Sequence, residues 1–221
     1  MRRDHGGQHA VAIDASVNVN PLGPPEALDA VFARARKLAS RYPELDASRA
    51  RDAWASRLRV DRETLLVGNG ASELISVAMR AIAPERVIVF DPSYSEYEAA
   101  ARATGVPVLH VPLELDGDRW RAPDELSQPS SGDLVVFGRP NNPTGDLGPA
   151  ADALDDLMAR GVHVLADESF LALSDYGEIA SLVPHVSERL TVVASLTKTY
   201  CVPGLRLGIL VGDRRDRKSV V

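Results

Sequence analysis

The pattern of hydrophobic positions changes character near Pro84. Upstream, Leu28, Val31, Phe32 and Ala35 recur at helical spacing and predict a helix over residues 26–38, opened by Pro24-Pro25 and broken by Arg41-Tyr42-Pro43. A second helix is predicted over residues 47–58. A third, more apolar, is predicted over 72–83, after a β-rich run that closes on Gly68-Asn69-Gly70. Downstream, strand-like Val/Ile/Leu runs at 87–90, 106–111, 134–137, 162–166, 190–194 and 207–211 are interspersed with helix-like stretches at 95–104 and 150–160. Runs that are apolar at every position suit a sheet covered on both faces. The expected fold is α/β: a three-layer α/β/α sandwich around a mainly parallel sheet. In such folds ligands sit beyond the carboxyl ends of the strands, so chemistry is sought just after each run.

Composition narrows the function classes. The 221 residues carry 25 Lys and Arg against 31 Asp and Glu, a net charge of −6, without basic runs. That balance argues against nucleic acid and anionic membranes as partners. The longest apolar runs fall short of the ~20 residues a membrane span needs, and residues 1–10 are too polar for a signal peptide. A single cysteine, Cys201, rules out an internal disulfide and a cysteine-based metal cluster. No metal is expected, and a cytoplasmic location is the default.

Four segments follow strand-like runs. Gly68-Asn69-Gly70-Ala71-Ser72 opens a helix and reads either as an anion site, from free N–H groups at the positive end of the helix dipole, or as a plain glycine turn capped by Ser72. Asn141-Asn142-Pro143-Thr144-Gly145 is a loop in which Asn142, held extended before proline, can project from the strand end. Asp167 closes a buried strand, where a carboxylate is costly unless it meets a ligand, caps a helix or forms a salt bridge. Ser195-Leu196-Thr197-Lys198 puts a lysine just past another buried strand. Desolvation there lowers an amine's pKa and makes it nucleophilic toward carbonyls, whereas an isolated lysine is ordinarily solvated. Arg206 follows eight residues later, with the planar fork that suits a phosphate.

The order and spacing of these segments resemble the fold-type I pyridoxal-phosphate enzymes, in particular the class I/II aminotransferase superfamily, over nearly the whole chain. The resemblance implies pyridoxal 5′-phosphate as cofactor. Lys198 attaches it and later moves protons at the substrate Cα, and Asp167 keeps the pyridine nitrogen protonated so that the ring acts as an electron sink. Asn142 bonds the ring 3′-oxygen and Tyr94 stacks on the ring. The turn Gly70-Ala71-Ser72, with Ser195, Thr197 and Arg206, holds the phosphate. Tyr42 matches a tyrosine that reaches the phosphate of a neighbouring subunit, which implies a homodimer with shared active sites.

Two subfamilies compete: threonine-phosphate decarboxylases of cobalamin biosynthesis and histidinol-phosphate aminotransferases. Three features favour the first. His5-Gly6-Gly7 resembles its N-terminal signature, although His5 also reads as a tail residue. The segment from Asp14 through Asn20 to Gly23 resembles its next motif. Phe170 stands where aminotransferases commonly carry a tyrosine, and phenylalanine cannot donate to the 3′-oxygen. His5, Gly6, Asn20 and Gly23 are thus candidate substrate-binding residues for an amino acid or a phosphorylated amino acid or alcohol. Arg139 departs from the pattern and reads either as a solvent-facing charge or as a contact for a phosphorylated substrate.

The expected organisation is an N-terminal arm and first helix over residues 1–40 and a cofactor-binding large domain, incomplete, over 41–215. Family members continue into a small C-terminal domain, whose absence implies C-terminal truncation. Residues 216–221 match the translation of a common sequencing adapter and are expected to be a non-native tail, a natural short tail being the alternative. Besides the two enzymes, a fragment that binds the cofactor without turnover fits the sequence. A plain nucleotide-binding domain would leave Lys198 and Asp167 without roles, and neither Gly-x-Gly-x-x-Gly nor a P-loop lysine is present.

Overall fold

The computed structural model describes residues 17–123, 126 and 128–214. His5, Gly6 and the tail at 216–221 lie outside them.

The described residues form nine strands: β1 (Leu65–Gly68), β2 (Arg86–Asp91), β3 (Val108–Pro112), β4 (Glu114–Asp116), β5 (Arg119–Arg121), β6 (Asp133–Gly138), β7 (His163–Asp167), β8 (Leu190–Ser195) and β9 (Gly208–Val211). The helices are α1 (Asp29–Phe32), α2 (Ala35–Ala39), α3 (Ser48–Leu58), α4 (Ala71–Ile82), α5 (Glu96–Thr104), α6 (Ala151–Ala159) and α7 (Leu196–Thr199). Seven strands form one sheet in the order β1-β9-β8-β7-β6-β2-β3, and β4 and β5 form a separate hairpin. Within the sheet only β9 is antiparallel to its neighbours β1 and β8.

The apolar runs are explained by alternation between two cores. Ile88, Val135, Val164 and Val192 point to the face covered by Leu154 and Leu157 of α6. Val89, Leu134, Leu165 and Val193 point to the face covered by Leu74, Ile75 and Met79 of α4 and Ala100 and Ala101 of α5. Each fully buried Val or Leu stabilises the fold by about 1.5–3 kcal/mol relative to exposure. The expected three-layer sandwich and mainly parallel sheet are therefore present. Among the described residues, no helix is long and apolar enough to cross a membrane.

Two local expectations need correction. The helix expected over 26–38 is broken into a 3-10 turn (Glu26–Leu28), α1 and α2, and its apolar side chains Val31, Phe32 and Leu38 are exposed. Their spacing is helical, but among the described residues no surface buries them. The β4–β5 hairpin was not expected. Its strands are three residues each and their side chains are exposed, so neither periodicity had length to register.

Candidate functional site

The carboxyl ends of β6, β7 and β8 lie side by side: Gly138 pairs with Asp167, and Asp167 with Val193. The chain leaves each strand into a different segment, and these segments, with the start of α4 and the loop after β2, enclose a cavity of about 100 Å³ lined by Ala71, Ser72, Tyr94, Asn142, Asp167, Ser195, Thr197, Lys198 and Arg206. Nine of the residues singled out from sequence therefore line one space. Five more that line it, Tyr97, Gly138, Pro140, Ser169 and Phe170, include only one, Phe170, that the sequence had marked.

One end of the cavity is built for an anion. Helix α4 starts at Ala71, and the first N–H groups of a helix have no partner inside it. Its N-cap is Gly70 at φ +87°, and no side chain caps it, so Ser72 is not the cap. A Cβ on Gly70 would lie 2.9 Å from a terminal nitrogen of Arg206. The missing side chain lets that guanidinium close over the helix start. Ser72 Oγ lies 3.1 Å from the Tyr94 hydroxyl, and Ser195 Oγ lies 2.6 Å from Thr197 Oγ1. Four hydroxyls, one guanidinium and a helix start thus gather, with no carboxylate lining this end among the described residues. That donor set suits a phosphate dianion.

The middle holds the two reactive groups. Lys198 is half-buried, and its Nζ sits 5.9 Å from the centroid of the Phe170 ring. Burial, and then the Arg206 charge, holds its pKa below the ordinary lysine value. Asp167 is 5% exposed, and burial pushes its carboxyl up, opposed by hydrogen bonds from Ser169 and Tyr97. It closes β7 without capping a helix, and no salt bridge to it is present among the described residues. A buried carboxylate that faces a cavity and forms no salt bridge is a receptor for a positively charged ligand atom.

The remaining candidates lie around this centre. Asn142 lines the cavity beside its buried neighbour Asn141, whose amide donates to Pro92 O and Thr144 Oγ1, 2.9 Å each. Tyr94 meets Tyr97 edge-on, 5.6 Å between ring centroids. Asn20 and Gly23 do not line the cavity. Asn20 straps the lysine turn from outside: its N–H donates to Lys198 O and its side-chain amide to Thr199 O, both at 3.0 Å. Gly23 closes the turn that follows by donating to Asn20 O. Tyr42 is fully exposed and away from the cavity. Arg139 is neither solvent-facing nor on the cavity. It is half-buried, and it donates to Ala180 O at 2.8 Å and Leu147 O at 2.7 Å.

Known proteins resemble this chain over most of its length. The family model described as aminotransferase class I and II matches residues 11–220. The threonine-phosphate decarboxylase of Salmonella typhimurium is 32% identical over 210 residues, covering 91% of this chain and 56% of that protein. A histidinol-phosphate aminotransferase of Desulfitobacterium hafniense is 34% identical over 213 residues, covering 92% and 58%. The crystal structure of L-threonine-O-3-phosphate decarboxylase from Porphyromonas gingivalis superposes with a TM-score of 0.77 at 26% identity, covering 92% of this chain and 61% of that one. The chain thus spans somewhat over half the length of these relatives.

Proposed function

The chain belongs to the class I and II aminotransferase family, whose cofactor is pyridoxal 5′-phosphate, and from that membership we propose that its cavity holds this cofactor and serves decarboxylation of a phosphorylated amino acid, as in threonine-phosphate decarboxylases. The observation that carries the proposal is the convergence of Lys198, Asp167 and the anion-binding end on one cavity.

When bound, the cofactor supplies an electron sink for the bond that breaks at the substrate Cα. Arg206, Ser72, Ser195, Thr197 and the start of α4 hold its phosphate. Asp167 faces the ring nitrogen and its negative charge favours the protonated ring. Lys198, whose pKa burial lowers, attaches the cofactor and delivers or removes the proton at Cα. Asn142 holds the 3′-oxygen. Phe170, the aromatic neighbour of Lys198, donates no hydrogen bond to that oxygen, and this favours the decarboxylase over the aminotransferase. Transamination of histidinol phosphate is the second reading, favoured by the 34% identity to a protein of that name.

The proposal includes a place in cobalamin biosynthesis, a cytoplasmic location, and a homodimer in which Tyr42 reaches the neighbouring site. It also includes the division into an arm over 1–40 and a large domain over 41–215, with His5, Gly6, Asn20 and Gly23 on the substrate side.

Mixing the purified chain with pyridoxal phosphate should produce a visible absorbance band that Lys198→Ala lacks. Carbon dioxide released from O-phosphothreonine identifies the decarboxylase, and oxoacid-dependent amino transfer from histidinol phosphate the aminotransferase. A band with neither activity identifies a cofactor-binding chain without turnover. No band in the wild-type chain refutes the cofactor site.

A further inference from the structure

Asp167 does not stand alone behind the cavity. Its Oδ1 accepts the Ser169 N–H at 3.0 Å and the Ser169 hydroxyl at 2.5 Å, and its Oδ2 accepts the Tyr97 hydroxyl at 3.1 Å. Tyr97 is 2% exposed and Ser169 is 7% exposed. The Ser169 oxygen accepts the Ser195 N–H at 2.9 Å. A serine hydroxyl has one hydrogen. With a neighbouring N–H already directed at its oxygen, that hydrogen is committed to Asp167. All three contacts to Asp167 are therefore donations, which favour the carboxylate over the acid and fix the plane in which it faces the cavity. The donor to Ser169 belongs to Ser195, whose own hydroxyl pairs with Thr197 at the anion-binding end. One chain of hydrogen bonds thus joins the two ends of the cavity, 26 residues apart in sequence between Ser169 and Ser195.

We propose that Ser169 and Tyr97 are positioning residues that hold Asp167 ionised and oriented toward the cofactor ring nitrogen, with Ser169 tying that orientation to the phosphate-binding turn. The proposal rests on the cofactor reading above.

The test measures the affinity of the full chain for two ligands: pyridoxal phosphate, and its analogue with a ring carbon in place of the nitrogen. Hydrogen bonds to charged groups contribute about 1.5–3 kcal/mol, so Ser169→Ala should weaken pyridoxal phosphate about tenfold or more. The carbon analogue, which has no ring nitrogen for Asp167 to meet, should bind Ser169→Ala as it binds the wild-type chain. Ser169→Thr should restore the difference. Tyr97→Phe, which keeps the ring and removes only the hydroxyl, should show the same selective loss and provides an independent test if Ser169→Ala does not fold. Equal weakening of both ligands in the variants, or no weakening of either, overturns the proposal. Failure of the cofactor reading looks different: the wild-type chain then gives no band with pyridoxal phosphate, and the proposal falls with it.

Discussion

At Gly208 the sheet passes close against the start of the anion-binding helix. This glycine pairs with Gly68 on one side and Ser195 on the other, and a Cβ at this position would lie 2.6 Å from Gly70 C and 3.0 Å from Ala71 N. Ordinary contact begins near 3.4 Å, so Gly208→Ala forces the turn before α4 to retreat by about 0.8 Å. Both opposing groups are backbone, and no flexible side chain is available to swing aside. Overpacking of this kind costs about 1–3 kcal/mol, and a site walled by main chain takes the upper half of that range. For a domain of this size the melting temperature should fall by about 5–10 °C. The same retreat moves an N–H hydrogen bond of about 2.9 Å beyond bonding distance of an anion held by Arg206 and Thr197. Loss of one charge-assisted bond at about 1.5–3 kcal/mol weakens pyridoxal phosphate about 10–100-fold. Thermal unfolding and spectrophotometric titration measure the two effects. Gly204→Ala, with nothing within 4 Å of its Cβ, is the control expected to change neither. A Gly208→Ala chain with wild-type melting temperature and wild-type affinity would refute the geometry of the anion-binding end.

Arg206→Gln removes the second cause of the low Lys198 pKa, the neighbouring positive charge, so the pH midpoint for Lys198 reacting with pyridoxal should move upward. Pyridoxal lacks the phosphate, so the shift is read without the lost anion contact, and an unmoved midpoint would show that burial alone sets the value. Burial pushes the Asp133 carboxyl up, but hydrogen bonds from Arg86 (2.6 Å) and Ser130 N–H (2.8 Å) outweigh it and leave the pKa lowered. A lowered folded-state pKa gives stability that is present above the unfolded value of about 3.9 and is lost as pH falls through the folded one. Denaturant unfolding should therefore show Asp133→Asn about 2 kcal/mol less stable at pH 7, with less further loss below pH 4 than the wild-type chain. A wild-type acid slope in the variant would refute the pairing.

The sheet was legible in the sequence because each central strand is buried on both faces and so must be apolar at every position. The runs at 134–137, 162–166 and 190–194 predict β6, β7 and β8 to within a residue at each end. The site was legible for a related reason. Parallel strands deliver their next residues to one edge, so Asn142, Asp167 and Lys198, scattered along the chain, arrive at one cavity. Residues whose role is to bond other residues left no such mark. Tyr97 lies within α5 and looks like one more core aromatic, and Ser169 is a small polar residue after a strand. The Tyr97 contact with Asp167 depends on how α5 packs over the sheet, a property of the packed layers that no local spacing encodes, and the Ser169 contact depends on the turn that the chain takes after β7. The Gly117-Asp118 turn of the β4–β5 hairpin was a readable signal, but strands of three exposed residues carry no burial pattern to accompany it.

The same distinction bears on the arm. Val31, Phe32, Leu38 and Leu45 are apolar and between 45% and 106% exposed, while Asn20, a few residues upstream, is bonded to the Lys198 turn. Helical spacing records that a segment has an apolar face. It does not record whether the surface that covers the face belongs to the same chain. The proposed homodimer would supply such a surface, with a direct consequence for the site. A second chain that covers this arm also restrains the strap from Asn20 to Lys198 O and Thr199 O. Pyridoxal phosphate affinity should then rise with protein concentration through the dimerisation range. Sedimentation across that range, run beside the absorbance titration, tests the coupling, and an affinity independent of association state would refute it.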